Sequence, residues 1–348
     1  MAHPEFDTQL RTLMSTPTNE SQIPKIQAPH IVPGPWTQAA RQRAADKECY
    51  QDFIEYFGKA MKTRRWSPWH DLPFAEMRTY GHRLSPETIN LIQGFLGVEE
   101  YVGDYVADGL EMFRNHRNRR NLQLQWGAEE LKHGVAWEMV LLHSGARSEE
   151  QLEAYIDKVR EHRWTIKNHA GGDTPLGATV YAMVQERATF FNYQETKARI
   201  REEYGLPKNL TPEERRRGYE VGAAEAFRIV AVDEIAHHGI FLKIVLTHLK
   251  YLPEKALDVM QQVFQGFQMP SLRLIPNARD FIRAVAKTKL HTGERHLLFV
   301  HNPILKSLGL EDNEAFNRAV QAAKLLPAGM GPNQVKLGRN GEFVIGYA

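Results

Sequence analysis

Two Glu-x-x-His tetrads carry the clearest chemical signal in the chain: Glu130-Leu-Lys-His133 and Glu234-Ile-Ala-His237. In a helix, residues i and i+3 share a face, so a carboxylate oxygen and an imidazole nitrogen from one tetrad can reach the same metal ion. Taken singly, such a tetrad is usually a solvated pair. These two differ in their surroundings, because Trp126 and Trp137 flank Glu130 while Val230 and Phe241 flank Glu234 at the same helical offsets. Both acids therefore sit on apolar stripes, where an unpaired carboxylate is costly and calls for a cation.

Two further acids fall on apolar stripes. In the run Ile92, Phe95, Leu96, Glu99, Val102, Val106, the acid on the apolar face is Glu99, whereas Glu100 keeps company with Gln93, Gly97, Gly103 and Asp104 and reads as solvated. Glu186 is flanked by Ala182, Met183, Thr189, Phe190 and Tyr193. The expected ligand set is thus Glu99, Glu130, His133, Glu186, Glu234 and His237. One Glu from each of two helices, with Glu-x-x-His from each of two others, is the pattern of di-iron and di-manganese centres in ferritin-like bundles. Hard carboxylates with one imidazole per metal suit two iron ions bridged by carboxylate, with manganese as a substitute. A ligand imidazole usually has a partner for its other nitrogen, and Asp233 and Trp126 are the expected ones.

Helices must position these groups. Ser85-Pro86 opens the first long one, expected to run to about Phe113. A second is expected from near Asn121 to Ser144-Gly145, a shorter one from Ser148, and a third from Thr174-Pro175 beyond Ala198. For the fourth, Thr211-Pro212-Glu213-Glu214 has the form of a capping box, and the helix is expected to continue to about Lys250. The fold class expected is all-α: a ferritin-like four-helix bundle with additional helices and a small C-terminal hairpin around Asn340-Gly341. Residues 1–40, with Pro24, Pro29, Pro33 and Pro35, are expected to form an extended arm. Residues 41–348 are expected to form one domain, its bundle at about 85–250 and a divergent extension after about 280.

Composition narrows the function classes. Lys and Arg number 44 against 42 Asp and Glu, so no strong overall field steers the chain to nucleic acid, and no Gly-rich phosphate loop is present. Cys49 is the only cysteine, which excludes an intramolecular disulfide and Cys-rich zinc or iron–sulfur sites in this chain. A mean hydropathy of -0.47 and the lack of a long apolar run argue against a transmembrane segment. With neither a signal core nor transit-peptide character at the start, a cytoplasmic location is expected.

Around these residues the chain resembles the soluble acyl-[acyl carrier protein] desaturases, the plastid stearoyl type and its bacterial relatives. The family's Glu-Glu-Asn-Arg-His stands here as Glu129-Glu130-Leu131-Lys132-His133, and its Asp-Glu-Lys-Arg-His as Asp233-Glu234-Ile235-Ala236-His237. Gln185-Glu186-Arg187-Ala188-Thr189-Phe190 matches the family's third-helix segment, and the resemblance gives Thr189 a place beside the oxygen-binding face. Trp66-Ser67-Pro68-Trp69-His70-Asp71-Leu72-Pro73 and Met269-Pro270 are similar to further family segments, so the likeness spans about residues 60 to 275.

The resemblance implies a homodimeric oxidoreductase that takes electrons from a ferredoxin-type donor and introduces a cis double bond into a saturated acyl chain, with O2 reduced to water. It also implies a long apolar slot, for which Met183, Phe190, Phe191, Tyr193 and Phe95 are expected as lining. Acyl carrier proteins are acidic, and three basic clusters are expected to offer docking surface: Arg114 to Arg120, Arg215 to Arg217, and Lys62 with Arg64 and Arg65. The competing readings are a ferritin-like di-iron hydroxylase or oxidase acting on another substrate, and a ferroxidase.

Overall fold

The computed structural model describes residues 36–346, and helices dominate it, several of them opening on side-chain caps. Thr37 accepts the amide of Ala40 to start α1 (Gln38–Thr63). After α2 (Phe74–Tyr80), Ser85 accepts the amide of Thr88 and Pro86 takes the first helical position of α3 (Pro86–Glu99). Then follow α4 (Val102–Met112), α5 (Arg117–His143) and α6 (Glu149–Arg160), the last opened by a Ser148/Gln151 capping box. Thr174 caps α7 (Pro175–Glu203), and α8 (Pro212–Arg217) precedes α9 (Ala223–Tyr251).

The architecture is an all-α, ferritin-like bundle. α9 lies along α7 and α3 along α5, while α1 packs against both α5 and α9. The contact of α5 with α4 needs Gly127: a Cβ there would stand 2.3 Å from Val106 Cγ2. Beside the acids lies an aromatic cluster in which Trp137 packs 4.4 Å from Phe227 and 4.9 Å from Tyr193, centroid to centroid. One contiguous apolar core runs from Cys49 to Ala323.

Two helices differ from expectation. The first is interrupted directly after Glu99: the amide of Tyr101 turns back to the Val98 carbonyl, a tighter i to i−3 step, before α4 resumes. The fourth does not start at Thr211. The Thr211/Glu214 capping box forms, but α8 ends after one and a half turns at Gly218, whose φ is +80°, and the site-bearing α9 starts only after Gly222. The expected arm, residues 1–40, lies mostly outside the described residues, and its last residues are helical from Gln38.

Beyond the bundle come α10 (Pro253–Gly266), α11 (Ala278–Thr288), α12 (Gly293–His296), a π-helical turn at Leu297–His301, α13 (Asn302–Ser307) and α14 (Asn313–Ala323). α11 packs across α3, and α14 packs on α10. The expected hairpin is present, with β1 (Val335–Leu337) antiparallel to β2 (Phe343–Ile345).

The aromatic cluster generates a first prediction. Trp137→Ala should lower unfolding free energy by about 3–5 kcal/mol, read as a shift in denaturant midpoint; a loss below about 1 kcal/mol would show that the cluster does not hold the bundle together.

Candidate metal centre

All six expected ligands converge. Glu99 comes from the last residue of α3, Glu130 and His133 from α5, Glu186 from α7, and Glu234 and His237 from α9. They form two overlapping groups, Glu99-Glu130-His133-Glu234 and Glu130-Glu186-Glu234-His237, and in each group one donor atom per residue lies within 4.8 Å of the others. Glu130 and Glu234 belong to both groups, the position a bridging carboxylate needs. All six are buried.

A layer of hydrogen bonds orients these groups, and it has an internal symmetry. His133 turns Nδ1 to the centre, 3.1 Å from Glu130 and 3.2 Å from Glu234, and its Nε2 lies 3.3 Å from Asp233. His237 turns Nδ1 to the centre, 2.8 Å from Glu130, and its Nε2 lies 2.9 Å from Glu129. Each supporting acid directly precedes a ligand Glu on one helix and reaches the imidazole of the other helix. The Arg64 guanidinium lies 3.3 Å from Glu129 and 3.4 Å from Asp233, which ties the two halves together. Tyr56 donates to Glu129 at 2.5 Å and Trp66 donates to Asp233 at 2.7 Å, its ring stacked parallel to His133. Tyr193 donates to Glu99 at 2.7 Å.

Of the two expected imidazole partners, Asp233 stands beside His133. Trp126 instead donates its indole N–H to Glu186 at 2.9 Å, as it must, since an indole nitrogen has no lone pair to accept with. The symmetric partner is Glu129, which the repeated acid-Glu-x-x-His pattern signalled through its first position. Arg64, expected in a docking cluster, is buried between two acids.

The donor set fits a pair of divalent cations. Glu130 Oε1, Glu234 Oε1 and His237 Nδ1 are buried and make no well-directed hydrogen bond, their close contacts being imidazole–carboxylate approaches of 2.8 and 3.2 Å within the same small space. Without a cation the acids crowd one another. Burial and then the Glu130 charge push Glu99 well up, and burial with Glu130 and Glu186 does the same to Glu234. Burial alone would lower both imidazoles, but Glu130, Asp233 and Glu234 carry His133 well above its ordinary value, and Tyr56, Glu129 and Glu130 do so for His237. Protons thus take the places that a metal would fill.

A cavity of about 210 Å³ opens on this centre, reaching Glu99, Glu130 and Glu234. Phe95, Tyr193 and Thr189 line it, and the Thr189 hydroxyl also donates to the Gln185 carbonyl at 3.0 Å. Met183, Phe190 and Phe191 are not lining residues: Met183 is fully buried in the core, and Phe191 stacks on Phe299. Their places are taken by Leu272, Phe281, Ile282, Val285 and Leu290, from a segment where the sequence offered no motif.

The basic clusters do not make one face. Arg119 is buried against Phe113 and Thr179, and Arg64 holds the centre. Arg114 to Arg120 lie at the start of α5. Arg217 pairs with Glu76 of α2, and Arg78 of α2 reaches His143 at the other end of α5, about 40 Å away by helix geometry.

Because the raised groups hold protons in the metal-free centre, a cation must displace them. Affinity for Mn2+ should therefore rise between about pH 6 and pH 8 with proton release, measurable by titration calorimetry in two buffers; a flat profile would contradict the protonation described. In the same assay Glu186→Ala should reduce bound metal, whereas Glu100→Ala, whose half-buried side chain meets only the exposed Arg160 at 3.5 Å, should leave it unchanged. The reverse result would show the ligand set to be misassigned.

Among solved structures the chain is similar to DesA2 from Mycobacterium tuberculosis, an acyl-ACP desaturase candidate, at 16% identity and TM-score 0.49, over 80% of this chain and 97% of that one. It is also similar to an R2-like ligand-binding oxidase from Sulfolobus acidocaldarius at 14% identity and TM-score 0.46, over 82% and 94%. A variant R2-like ligand-binding oxidase with a Mn/Fe cofactor matches at 15% identity and TM-score 0.45, over 78% and 92%. None of the curated proteins matches in sequence. The family model for fatty acid desaturases matches residues 117–324, which hold five of the six candidate ligands, and the chain belongs to that fatty acid desaturase family.

Proposed function

We propose that the chain is an O2-dependent acyl-[acyl carrier protein] desaturase that converts a CH2–CH2 unit of a saturated acyl chain to a cis double bond. The observation that carries this reading is the cavity: walls of Phe95, Val98, Leu272, Val285 and Leu290 lead to three carboxylates of the candidate metal centre. A chain lying there would present unactivated C–H bonds to the centre in a space from which water is largely excluded. The balance is two hydrogens from the chain, two electrons and two protons from outside, and one O2, giving two waters.

Two iron ions held by Glu99, Glu130, His133, Glu186, Glu234 and His237 would supply the oxidising power when bound. The protein's own groups do the rest. Tyr193 holds Glu99 in place, Trp126 holds Glu186, and Asp233 and Glu129 set the imidazoles. Thr189 supplies a hydroxyl on the cavity wall, able to hold or pass a proton beside the carboxylates. For a ferredoxin-type donor, a hydrogen-bonded route inward runs from the half-buried Trp66 through Asp233 to His133.

An acidic carrier protein finds a suitable surface near the cavity mouth, where Ile282 is 51% exposed. Arg273, Arg279, Arg283, Lys287 and Lys289 stand exposed on and around α11, where Asp280 pairs with Arg283 and Glu87 of α3 with Lys287. This patch supports docking better than the three clusters expected from sequence. Phe57 and Met61 of α1, with Leu124 and Leu131 of α5, expose apolar side chains that support a homodimer. No described helix is long and apolar enough to cross a membrane. The buried free thiol of Cys49, pushed up to about 12 by burial, suits a cytoplasmic setting.

Incubation of iron-loaded protein with acyl carrier protein substrates, O2 and a reduced ferredoxin system should yield a product lighter by two hydrogens in the mass spectrum. A product heavier by one oxygen would replace desaturation with hydroxylation. Apparent substrate affinity should fall as salt is raised, because the docking attraction is screened over about 8–10 Å; affinity independent of salt would remove the docking surface.

A further inference from the structure

The segment after Met269 lies beyond the four bundle helices, yet it supplies much of the cavity wall. Phe281 is 5% exposed although it sits on a short helix with a charged outer face. Its ring meets Phe95 edge-on at 5.6 Å and 76°; Phe95 meets Tyr193 edge-on at 4.9 Å; and Tyr193 holds Glu99. The ring is thus the outer end of an aromatic series that begins at the metal centre.

What seats it is the absence of a side chain. A Cβ on Gly94 would stand 2.0 Å from Phe281 Cδ2 and 2.5 Å from Cγ, so the ring lies directly on the backbone of α3. Gly94 is in a regular helix with no unusual φ, so backbone freedom does not call for glycine there, whereas the space filled by Phe281 does. Close packing on one side and the cavity on the other leave the ring few alternatives.

We propose that Phe281, seated on Gly94, sets the length of acyl chain that the cavity accepts. This rests on the reading of the cavity as an acyl slot and adds the residue whose ring bounds it against α3. A phenyl ring occupies the space of several methylenes, and here it fills the space between the cavity and the backbone of α3. Removing the ring joins its volume to the cavity, and enlarging it shortens the slot. Phe281 acts by shape, so changing it should leave the metal ligands in place.

The experiment uses the full-length protein and displacement of a fluorescent fatty acid by saturated fatty acids graded from about ten to about twenty carbons. In the unaltered protein affinity should rise about fourfold per methylene and then level off at a limiting length. Phe281→Ala should move that limit to longer chains by roughly two to four carbons, and Phe281→Trp should move it to shorter ones, with bound Mn2+ unchanged in both. If Phe281→Ala weakens all lengths alike and neither variant moves the limit, Phe281 is a packing residue and the proposal falls while the acyl reading stands. If the unaltered protein binds no fatty acid of any length, both fall. Seating has its own readout: Gly94→Ala should lower the thermal midpoint, and Phe281→Ala in the same chain should recover part of that loss. Additive losses would overturn the seating of Phe281 on Gly94.

Discussion

Four carboxylates and two imidazoles are buried together at the middle of a helical bundle, and much of the surrounding structure follows from that burden. Carboxylates removed from water repel one another and favour their neutral forms, which is why Glu99 and Glu234 are pushed up while the two imidazoles are drawn into their charged forms. A pair of divalent cations would relieve both effects, because it replaces several protons with charges that the buried oxygens of Glu130 and Glu234 can reach directly. Such a cluster cannot be held by loops. It rests on rigid helices whose Glu-x-x-His faces point inward.

The supporting layer shows how orientation is secured at that depth. Glu129 and Asp233 cross from one helix to the imidazole of the other, so α5 and α9 are tied at two points as well as packed. Arg64 lies between these acids and reaches both, adding a fixed positive charge to the imidazoles and to Lys132, which stands 3.4 Å from Asp233. Tyr56, Arg64 and Trp66 belong to α1 and the turn that follows it, outside the four helices that carry ligands. The fifth long helix thus has a chemical role, since it and the turn after it bring Tyr56 and the Arg64 guanidinium to the centre.

The cavity divides the labour differently. Its inner end is made by α3, α5, α7 and α9, the helices that carry the carboxylates, while much of its outer wall comes from the segment between Met269 and His291. In the proposed acyl slot, that arrangement separates chemistry from substrate fit. Residues of α11 can change the shape of the slot without disturbing a ligand, and the same helix turns a basic outer face to solvent beside the opening.

The sequence by itself determined the helical class, the four ligand helices and the six converging side chains, because acids on apolar stripes at helical spacing are too costly to bury unless they converge on a shared cation. It also determined which acid of the Glu99-Glu100 pair faces inward. Tertiary structure decided what depends on contacts between distant segments. Helix ends moved where a glycine stop at Gly218 outweighed a capping box. Arg64 and Arg119, read as surface charge, proved buried, because a charge run in sequence carries no information about what packs over it. Met183, Phe190 and Phe191 lie on the same helix as Thr189 and Tyr193, yet only the latter two meet the cavity. The pairing of Phe281 with Gly94 was invisible for the same reason: a glycine inside a regular helix signals close approach, but only the fold names the side chain that approaches.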